Sequence, residues 1–103
     1  MKPFDWDNKK SEALEKERKV CFEDVVIKID EGFLLDNIEH PNKVKYPDQM
    51  MLVVNLNGYA YLVPYLEQEE TIHLITIFPS RKHTKAYLKE ISHKNLKGEN
   101  KNG

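Results

Sequence analysis

The sequence has few of the residues that mark secreted and membrane proteins. Among its 103 residues there is one cysteine, Cys21, which excludes an intrachain disulfide or a zinc site of several cysteines and fits a reducing compartment. No apolar run approaches the roughly 20 residues that a membrane-spanning helix needs, and residues 1–10 lack the apolar centre of a signal peptide. We therefore expect a cytoplasmic protein that makes no membrane contact.

The common catalytic motifs are also missing. There is no glycine-rich phosphate loop, no His-Glu-x-x-His and no Gly-x-Ser-x-Gly. The four histidines, His40, His73, His83 and His93, do not have the spacing of metal ligands. We therefore expect neither a metal nor a cofactor.

Positive charge is concentrated at the C-terminal end, although the whole chain carries a formal net charge of −1. From residue 79 onward, seven lysines and arginines oppose two glutamates, a balance of +5, so the first 78 residues carry −6. Such an end can bind phosphate locally, while long-range attraction of nucleic acid stays weak. The alternative is that these positive charges bind no phosphate and only make the surface of a solvated helix and tail. We expect one domain over residues 1–94 and a disordered, basic and polar tail over residues 95–103.

Residues 51–78 contain three apolar runs separated by two turns and predict an antiparallel three-stranded meander. Asn57 and Gly58 both tolerate the positive φ of a two-residue type I′ hairpin, so residue 56 should pair with residue 59. The acidic segment 67–70 forms the second turn if residue 66 pairs with residue 71.

This pairing assigns the side chains of the meander to two faces. One face carries Leu52, Val54, Leu56, Tyr59, Tyr61, Val63, Ile72 and Leu74, and the other carries Met51, Val53, Asn55, Ala60, Leu62, Pro64, His73, Ile75 and Ile77. Because both faces are largely apolar, both need cover from helices or from a partner protein. Pro64 has no N–H and is expected at a bulge or a free edge.

Two helices are predicted before the meander. Residues 8–19 form a surface helix with Asp7 as N-cap. Residues 21–32 form a second helix with an apolar stripe, and Gly32 suits its C-terminal end. Cys21 occupies the cap position of this second helix, where the oxygen acceptor of a serine or threonine is missing.

The remaining predicted elements are short strands and one more helix. They are a strand at residues 4–6, a strand at 34–40, a polar loop at 41–48, and a helix at 81–93 whose apolar stripe is Ala86, Tyr87 and Ile91. The fold class is therefore α+β: a small antiparallel sheet, made of the meander and one or two further strands, with N-terminal helices and a C-terminal helix.

The junction between the last strand and the last helix is the best candidate for a functional site. Arg81, Lys82 and His83 are adjacent there, and a cluster of cations at a helix start is unfavourable without an anionic partner. The partner is a phosphate or, in the alternative, a carboxylate of the protein that pairs with Arg81.

A row of tyrosines is a second candidate. Tyr59, Tyr61 and Tyr65 share one face in the predicted pairing, and such a row can stack the bases of RNA. The alternative is that they simply form a half-buried face of the sheet.

Several short motifs resemble, in order and spacing, the BrnT family of type II toxin–antitoxin toxins. They are Phe-Asp-Trp-Asp (4–7), Val-Cys-Phe-Glu-Asp (20–24), Gly58 before an apolar strand, and Ile-Phe-Pro-Ser-Arg-Lys-His-Thr-Lys (77–85). The resemblance covers residues 4–90. It implies a RelE-like fold, metal-independent cleavage of mRNA through attack of a ribose 2′-OH, and neutralisation by a cognate antitoxin encoded alongside. It also implies RNA contact, with or without the ribosome, and leaves open an oligomer formed through the antitoxin.

The resemblance also implies a set of catalytic residues. Arg81 matches the arginine of the family's closing motif and is the expected phosphate clamp, with Lys82 beside it. Tyr46, in the polar loop, or a histidine such as His83 or His40 is expected to transfer protons. Residues expected to bind RNA are Trp6, Lys45, Thr84 and Lys85.

The chain also departs from the family pattern. Cys21 stands where the family usually has serine, and Met50 stands where many members have an arginine. These departures lead to a second hypothesis, a BrnT-like interaction module that has lost catalysis and binds an antitoxin-like partner. An enzyme should lose activity on Arg81→Ala without losing its fold, whereas a binding module has no activity to lose.

Overall fold

A computed structural model describes residues 2–89 of the protein. In chain order the elements are β1 (Phe4–Asp5), α1 (Asn8–Arg18), α2 (Phe22–Asp30), β2 (Leu34–Glu39), β3 (Gln49–Leu56), β4 (Tyr59–Glu67), β5 (Ile72–Leu74), β6 (Phe78–Pro79) and α3 (Arg81–His83), which continues as a π-helix (Thr84–Lys89). We refer to α3 and the π-helix together as the C-terminal helix. Four predictions lie outside the described part of the chain. They are the helix end at residue 93, the packing of Ile91, the domain limit at residue 94 and the tail at residues 95–103.

The strands form one sheet in the order β1-β5-β4-β3-β2, with β6 also beside β4. All pairs are antiparallel except β1 with β5, so the sheet is mixed. The α+β class, the two N-terminal helices and the central meander are confirmed. None of the helices in the described residues has the length and apolar character that crossing a membrane requires.

The hairpin between β3 and β4 has the predicted register, with Leu56 opposite Tyr59. Asn57 and Gly58 have φ angles of 57° and 90°, as a type I′ turn requires. The Asn55 side chain accepts a hydrogen bond from the Gly58 N–H at 2.7 Å, which closes the turn. The faces of β3 and β4 are therefore those that the sequence predicts.

The second turn was predicted with the wrong pairing. Leu66 lies opposite His73 rather than residue 71, because β4 extends to Glu67 and the connection spans residues 68–71. A shift of two residues preserves the alternation of faces, so Ile72 still faces the first core.

The strand after this turn is interrupted opposite Pro64. Pro64 cannot donate a backbone hydrogen bond, while its carbonyl accepts one from the Ile75 N–H at 2.9 Å. The chain resumes pairing only at β6, where Phe78 lies opposite Leu62. The predicted position of Ile77 on the second face is wrong, because the interruption turns its side chain into the first core.

The first core lies between the sheet and the two N-terminal helices. Its buried side chains are Leu14, Val20, Phe22, Val25, Leu52, Val54, Leu56, Val63, Tyr65, Leu74 and Ile77. Full burial of one such large side chain contributes about 1.5–3 kcal/mol. This packing explains why residues 22–30 form a helix although they contain several β-branched residues.

The second core lies under the C-terminal helix. Met51, Val53, Ala60 and Leu62 are buried there, and Tyr87 and Leu88 pack against them. The predicted apolar stripe is partly wrong, since Ala86 is exposed and Leu88 takes its place. The second face therefore has cover from the protein's own chain.

Candidate phosphate-binding groove

Ser80 is the residue at which β6 ends and the C-terminal helix begins. Its N–H donates to the Ala60 carbonyl of β4 at 2.9 Å, so it is still held to the sheet. Its hydroxyl accepts a hydrogen bond from the His83 N–H at 3.1 Å, which is the usual N-cap interaction of a serine. The helix start is therefore fixed to the edge of β4.

Thr84 makes a second connection between the helix and β4. Its hydroxyl donates to the Ser80 carbonyl at 2.8 Å and accepts from the Ala60 N–H at 2.9 Å. The hydroxyl thus accepts the hydrogen bond from the Ala60 N–H that the carbonyl of a neighbouring strand would otherwise accept. Thr84, predicted to bind RNA, has its donor and one acceptor position occupied within the protein.

Beside this connection lies an open groove of about 420 Å³, lined by Tyr59, Arg81, Thr84 and Lys85. Arg81 and Lys85 are four residues apart on the helix and both are exposed. No carboxylate of residues 2–88 lies within 4 Å of either charged group. Within this part of the chain the alternative of an Arg81 ion pair is therefore wrong, and neither cation of the groove is paired with a carboxylate of residues 2–88.

His83 lies on another side of the helix from the groove. Its Nδ1 is 2.7 Å from the Ser80 hydroxyl, and its ring stacks on Tyr87 with 6.2 Å between ring centres. The adjacent Lys82 is exposed and does not line the groove. Arg81, Lys82 and His83 therefore have three different surroundings, and of the three only Arg81 lines the groove.

Tyr87 connects this side of the helix to the edge strand β2. Its hydroxyl donates to the Asp36 carboxylate. This hydrogen bond holds the pKa of Asp36 below its ordinary value, with further contributions from the Asn37 N–H and the nearby His83. The same hydrogen bond raises the pKa of Tyr87, because the carboxylate stabilises the protonated phenol.

Tyr46 and Lys45 lie at the opposite end of the sheet from the groove. They belong to the connection between β2 and β3, whereas the groove adjoins the hairpin after β3, and the eight residues of β3 span about 24 Å. The Tyr46 ring packs on His40 at 4.6 Å between ring centres, and the Lys45 ammonium lies 5.3 Å from the centre of the Tyr46 ring. The structure does not bring these residues together with Arg81.

Trp6 lies on the helix-covered side of the sheet. Its ring packs against Phe22 with 5.8 Å between ring centres and belongs to the edge of the first core. Its indole N–H is buried and has no hydrogen-bond partner among the described residues. The structure separates Trp6 from the groove and gives it a packing role.

A cluster of potential metal ligands lies between α1 and α2, where the sequence spacing did not indicate one. Ligand atoms of Glu15, Cys21 and Asp24 lie within 4.8 Å of one another. Burial, followed by the neighbouring Asp24 and Glu23 carboxylates, raises the pKa of the Cys21 thiol to about 12. Since the thiolate is the form that binds metals, this cluster offers a weak set of ligands.

Comparisons with protein-family models, with curated proteins and with solved structures gave no match to this chain.

Proposed function

We propose that the protein is the toxin of a type II toxin–antitoxin system, with a RelE-like fold, and that it cleaves mRNA at the groove between Tyr59 and the C-terminal helix. The observation that carries the proposal is the pair of exposed cations, Arg81 and Lys85, beside a tyrosine in a groove that no carboxylate of residues 2–88 lines. A phosphodiester brings negative charge that these two cations can balance. The order of motifs that resembles BrnT and the α+β arrangement of the elements support the same assignment.

Cleavage proceeds by attack of a ribose 2′-oxygen on the neighbouring phosphorus. The bond from phosphorus to the 5′-oxygen breaks, which leaves a 2′,3′-cyclic phosphate and a free 5′-hydroxyl. The Arg81 guanidinium binds two phosphate oxygens at once and stabilises the charge that builds up in the transition state. Arg81 and Lys85, which both line the groove, supply this stabilisation.

Two protons move in this reaction, one from the 2′-hydroxyl and one to the leaving 5′-oxygen. Lys85 lines the groove. In this proposal Lys85 protonates the leaving oxygen, and water in the open groove takes up the proton of the 2′-hydroxyl. His83 lies on the other side of the helix, in contact with Ser80 and Tyr87, and has no part in these proton transfers. Lys82 adds charge near the groove without lining it.

The test is induced expression of the protein and of Arg81→Ala, with growth and total RNA followed in the same cultures. We expect growth arrest and RNA cleavage with the unchanged protein, and neither with Arg81→Ala. The matched control is Lys43→Ala, which removes one positive charge from the opposite end of the sheet, where Lys43 pairs with Glu39 at 2.9 Å. Purified protein should cleave RNA equally well with and without EDTA. Intact RNA in the presence of soluble, folded protein would overturn the proposal.

One observation favours the second hypothesis, a non-catalytic module that binds an antitoxin-like protein. Two of the groups expected to transfer protons, His83 and Tyr46, lie outside the groove, which leaves it with fewer catalytic groups than the resemblance implies. The same cultures separate the two functions. A module would leave growth and RNA unchanged in both forms, yet would copurify with the product of the neighbouring antitoxin gene.

A further inference from the structure

The three tyrosines of the predicted row have different surroundings in the structure. Tyr65 is 5% exposed and its hydroxyl donates to the Asn37 side chain at 2.9 Å, so it belongs to the interior. Tyr61 is half-buried and packs at the edge of the first core. Tyr59 is also half-buried, but it alone of the three lines the groove.

The Tyr59 ring contacts a neighbouring aromatic ring. Tyr61 lies 5.9 Å away between ring centres, at an angle of 69°, which is the favourable edge-to-face arrangement of two aromatic rings. Tyr59 also follows directly after the Asn57-Gly58 turn, and its backbone is paired with Leu56. An aromatic surface that is already positioned loses little conformational entropy when a flat ligand binds to it.

The residues that line the groove therefore include a tyrosine, an arginine and a lysine, at the edge of β4 where the two faces of the sheet meet. A nucleotide presents the matching groups, a flat base and a phosphate, within one unit. Stacking on aromatic side chains together with cations along the backbone is the usual way in which proteins bind single strands. The arrangement matches a nucleotide better than it matches an inorganic phosphate, because inorganic phosphate has no flat group that could stack on a tyrosine.

We propose that Tyr59 is a stacking platform for one unpaired base whose adjacent phosphate is bound by Arg81 and Lys85, so that the substrate is single-stranded RNA. This inference rests on the RNA-cleaving function proposed above and narrows it to a substrate class. In a duplex both faces of each base are covered by neighbouring bases, and stacking on Tyr59 requires an exposed face. Paired RNA must therefore bind less tightly than the same sequence as a single strand.

The test uses the full chain and a 2′-O-methyl oligonucleotide, which lacks the nucleophilic hydroxyl and is bound without being cleaved. The variant Tyr59→Phe keeps the ring and should bind within about twofold of the unchanged protein. The variant Tyr59→Leu keeps an apolar side chain but not the ring, and its Kd should rise roughly 5- to 150-fold. The duplex form of the oligonucleotide should show a weaker affinity and no dependence on the ring.

An abasic oligonucleotide distinguishes a platform from a structural role. If Tyr59 stacks on a base, Tyr59→Leu should weaken binding of the intact strand but not of a strand whose bases have been removed. An equal loss on both strands, or a change in melting temperature that accounts for the loss, would overturn the platform. So would a Tyr59→Phe variant that binds as poorly as Tyr59→Leu, because the hydroxyl would then be the functional group.

Cleavage and binding together separate the role of Tyr59 from the RNA-cleaving function. If RNA cleavage depends on Arg81 while Tyr59→Leu binds and cleaves normally, the function stands and the platform is wrong. If the unchanged protein neither cleaves RNA nor binds the oligonucleotide, both are wrong.

Discussion

The hydroxyl of Thr84 and the backbone N–H of Ala60, 2.9 Å apart, join the C-terminal helix to the edge of β4. Ala60 is fully buried, so its N–H has no access to water if the hydroxyl is removed. The helix carries Arg81 and Lys85 and the strand carries Tyr59, so this hydrogen bond also sets the two sides of the groove relative to each other.

Replacing Thr84 with valine keeps the shape of the side chain and removes the hydroxyl. We expect Thr84→Val to lower the free energy of unfolding by about 1–3 kcal/mol, because a buried N–H is left unpaired. Binding of a single-stranded oligonucleotide should weaken as well, since the sides of the groove are no longer held together. Urea unfolding and the Kd of the oligonucleotide measure the two effects. Thr84→Ser retains the hydroxyl and should restore both; a serine variant as impaired as the valine variant would show that the methyl group matters instead.

The salt dependence of RNA binding tests which cations touch the phosphates. If Arg81 and Lys85 each neutralise one phosphate, replacing either with alanine should reduce the slope of log K against log salt concentration by about 0.7. Lys45→Ala is the informative control, because the sequence also predicts Lys45 to bind RNA and the structure places it about 24 Å away along β3. A slope that falls equally in Lys45→Ala would mean that RNA spans the sheet rather than occupying the groove.

Local signals in the sequence predicted most of the fold. The hairpin followed from Asn57-Gly58 and α1 followed from the Asp7 cap, because both depend on residues adjacent in the chain. The pairing of Leu66 with His73 was missed because an acidic turn of four residues does not specify its own length. The position of Ile77 was missed because Pro64, thirteen residues earlier, interrupts the strand opposite to it.

The groove and the site predicted from the sequence share Arg81 but differ in their other residues. The sequence identified Arg81, but it grouped Arg81 with its neighbours in the chain, whereas the helix separates them onto different sides. Tyr59 joins the groove only because β6 and the helix start are held beside β4, a contact between distant residues. The hydrogen bond between Tyr87 and Asp36 likewise spans 51 residues, and no short pattern indicates it.

This Tyr87–Asp36 hydrogen bond should make stability depend on pH. Since the folded state lowers the pKa of Asp36, the stabilisation is fully present above the ordinary carboxyl pKa of about 3.9 and is lost as pH falls through the lower folded value. The raised pKa of Tyr87 limits the stabilisation at high pH as well. The stabilisation is fully present below the ordinary tyrosine pKa of about 10 and is lost as pH rises through the higher pKa of the folded state.

The variant Tyr87→Phe removes this hydrogen bond but keeps the ring that stacks on His83. We expect its melting temperature to lie below that of the unchanged protein at pH 7 and the difference to shrink below about pH 4. Thermal unfolding at a series of pH values measures this. Tyr46→Phe is the control, because its ring packs on His40 and no carboxylate accepts its hydroxyl in the described residues. A difference that is the same at every pH would mean that the ionised Asp36 is not the partner.

The start of α2 provides a prediction about stability alone. Cys21 occupies the cap position and makes no capping hydrogen bond through its side chain. The missing acceptor is supplied from α1, where the Ser11 hydroxyl accepts from the Phe22 N–H at 3.1 Å and donates to the Glu23 carboxylate at 3.2 Å. Ser11 is 5% exposed, so water cannot replace it.

We therefore expect Ser11→Ala to lower the free energy of unfolding by about 1–2 kcal/mol, the usual cost of losing an N-cap. Urea unfolding measures the change, and Glu12→Ala, an exposed neighbour on the same helix, should stay within about 0.5 kcal/mol of the unchanged protein. RNA binding should be unaffected by Ser11→Ala at temperatures where the variant is folded, because the groove lies beside the C-terminal helix. If Ser11→Ala and Glu12→Ala had the same stability, α2 would not depend on a cap supplied by α1.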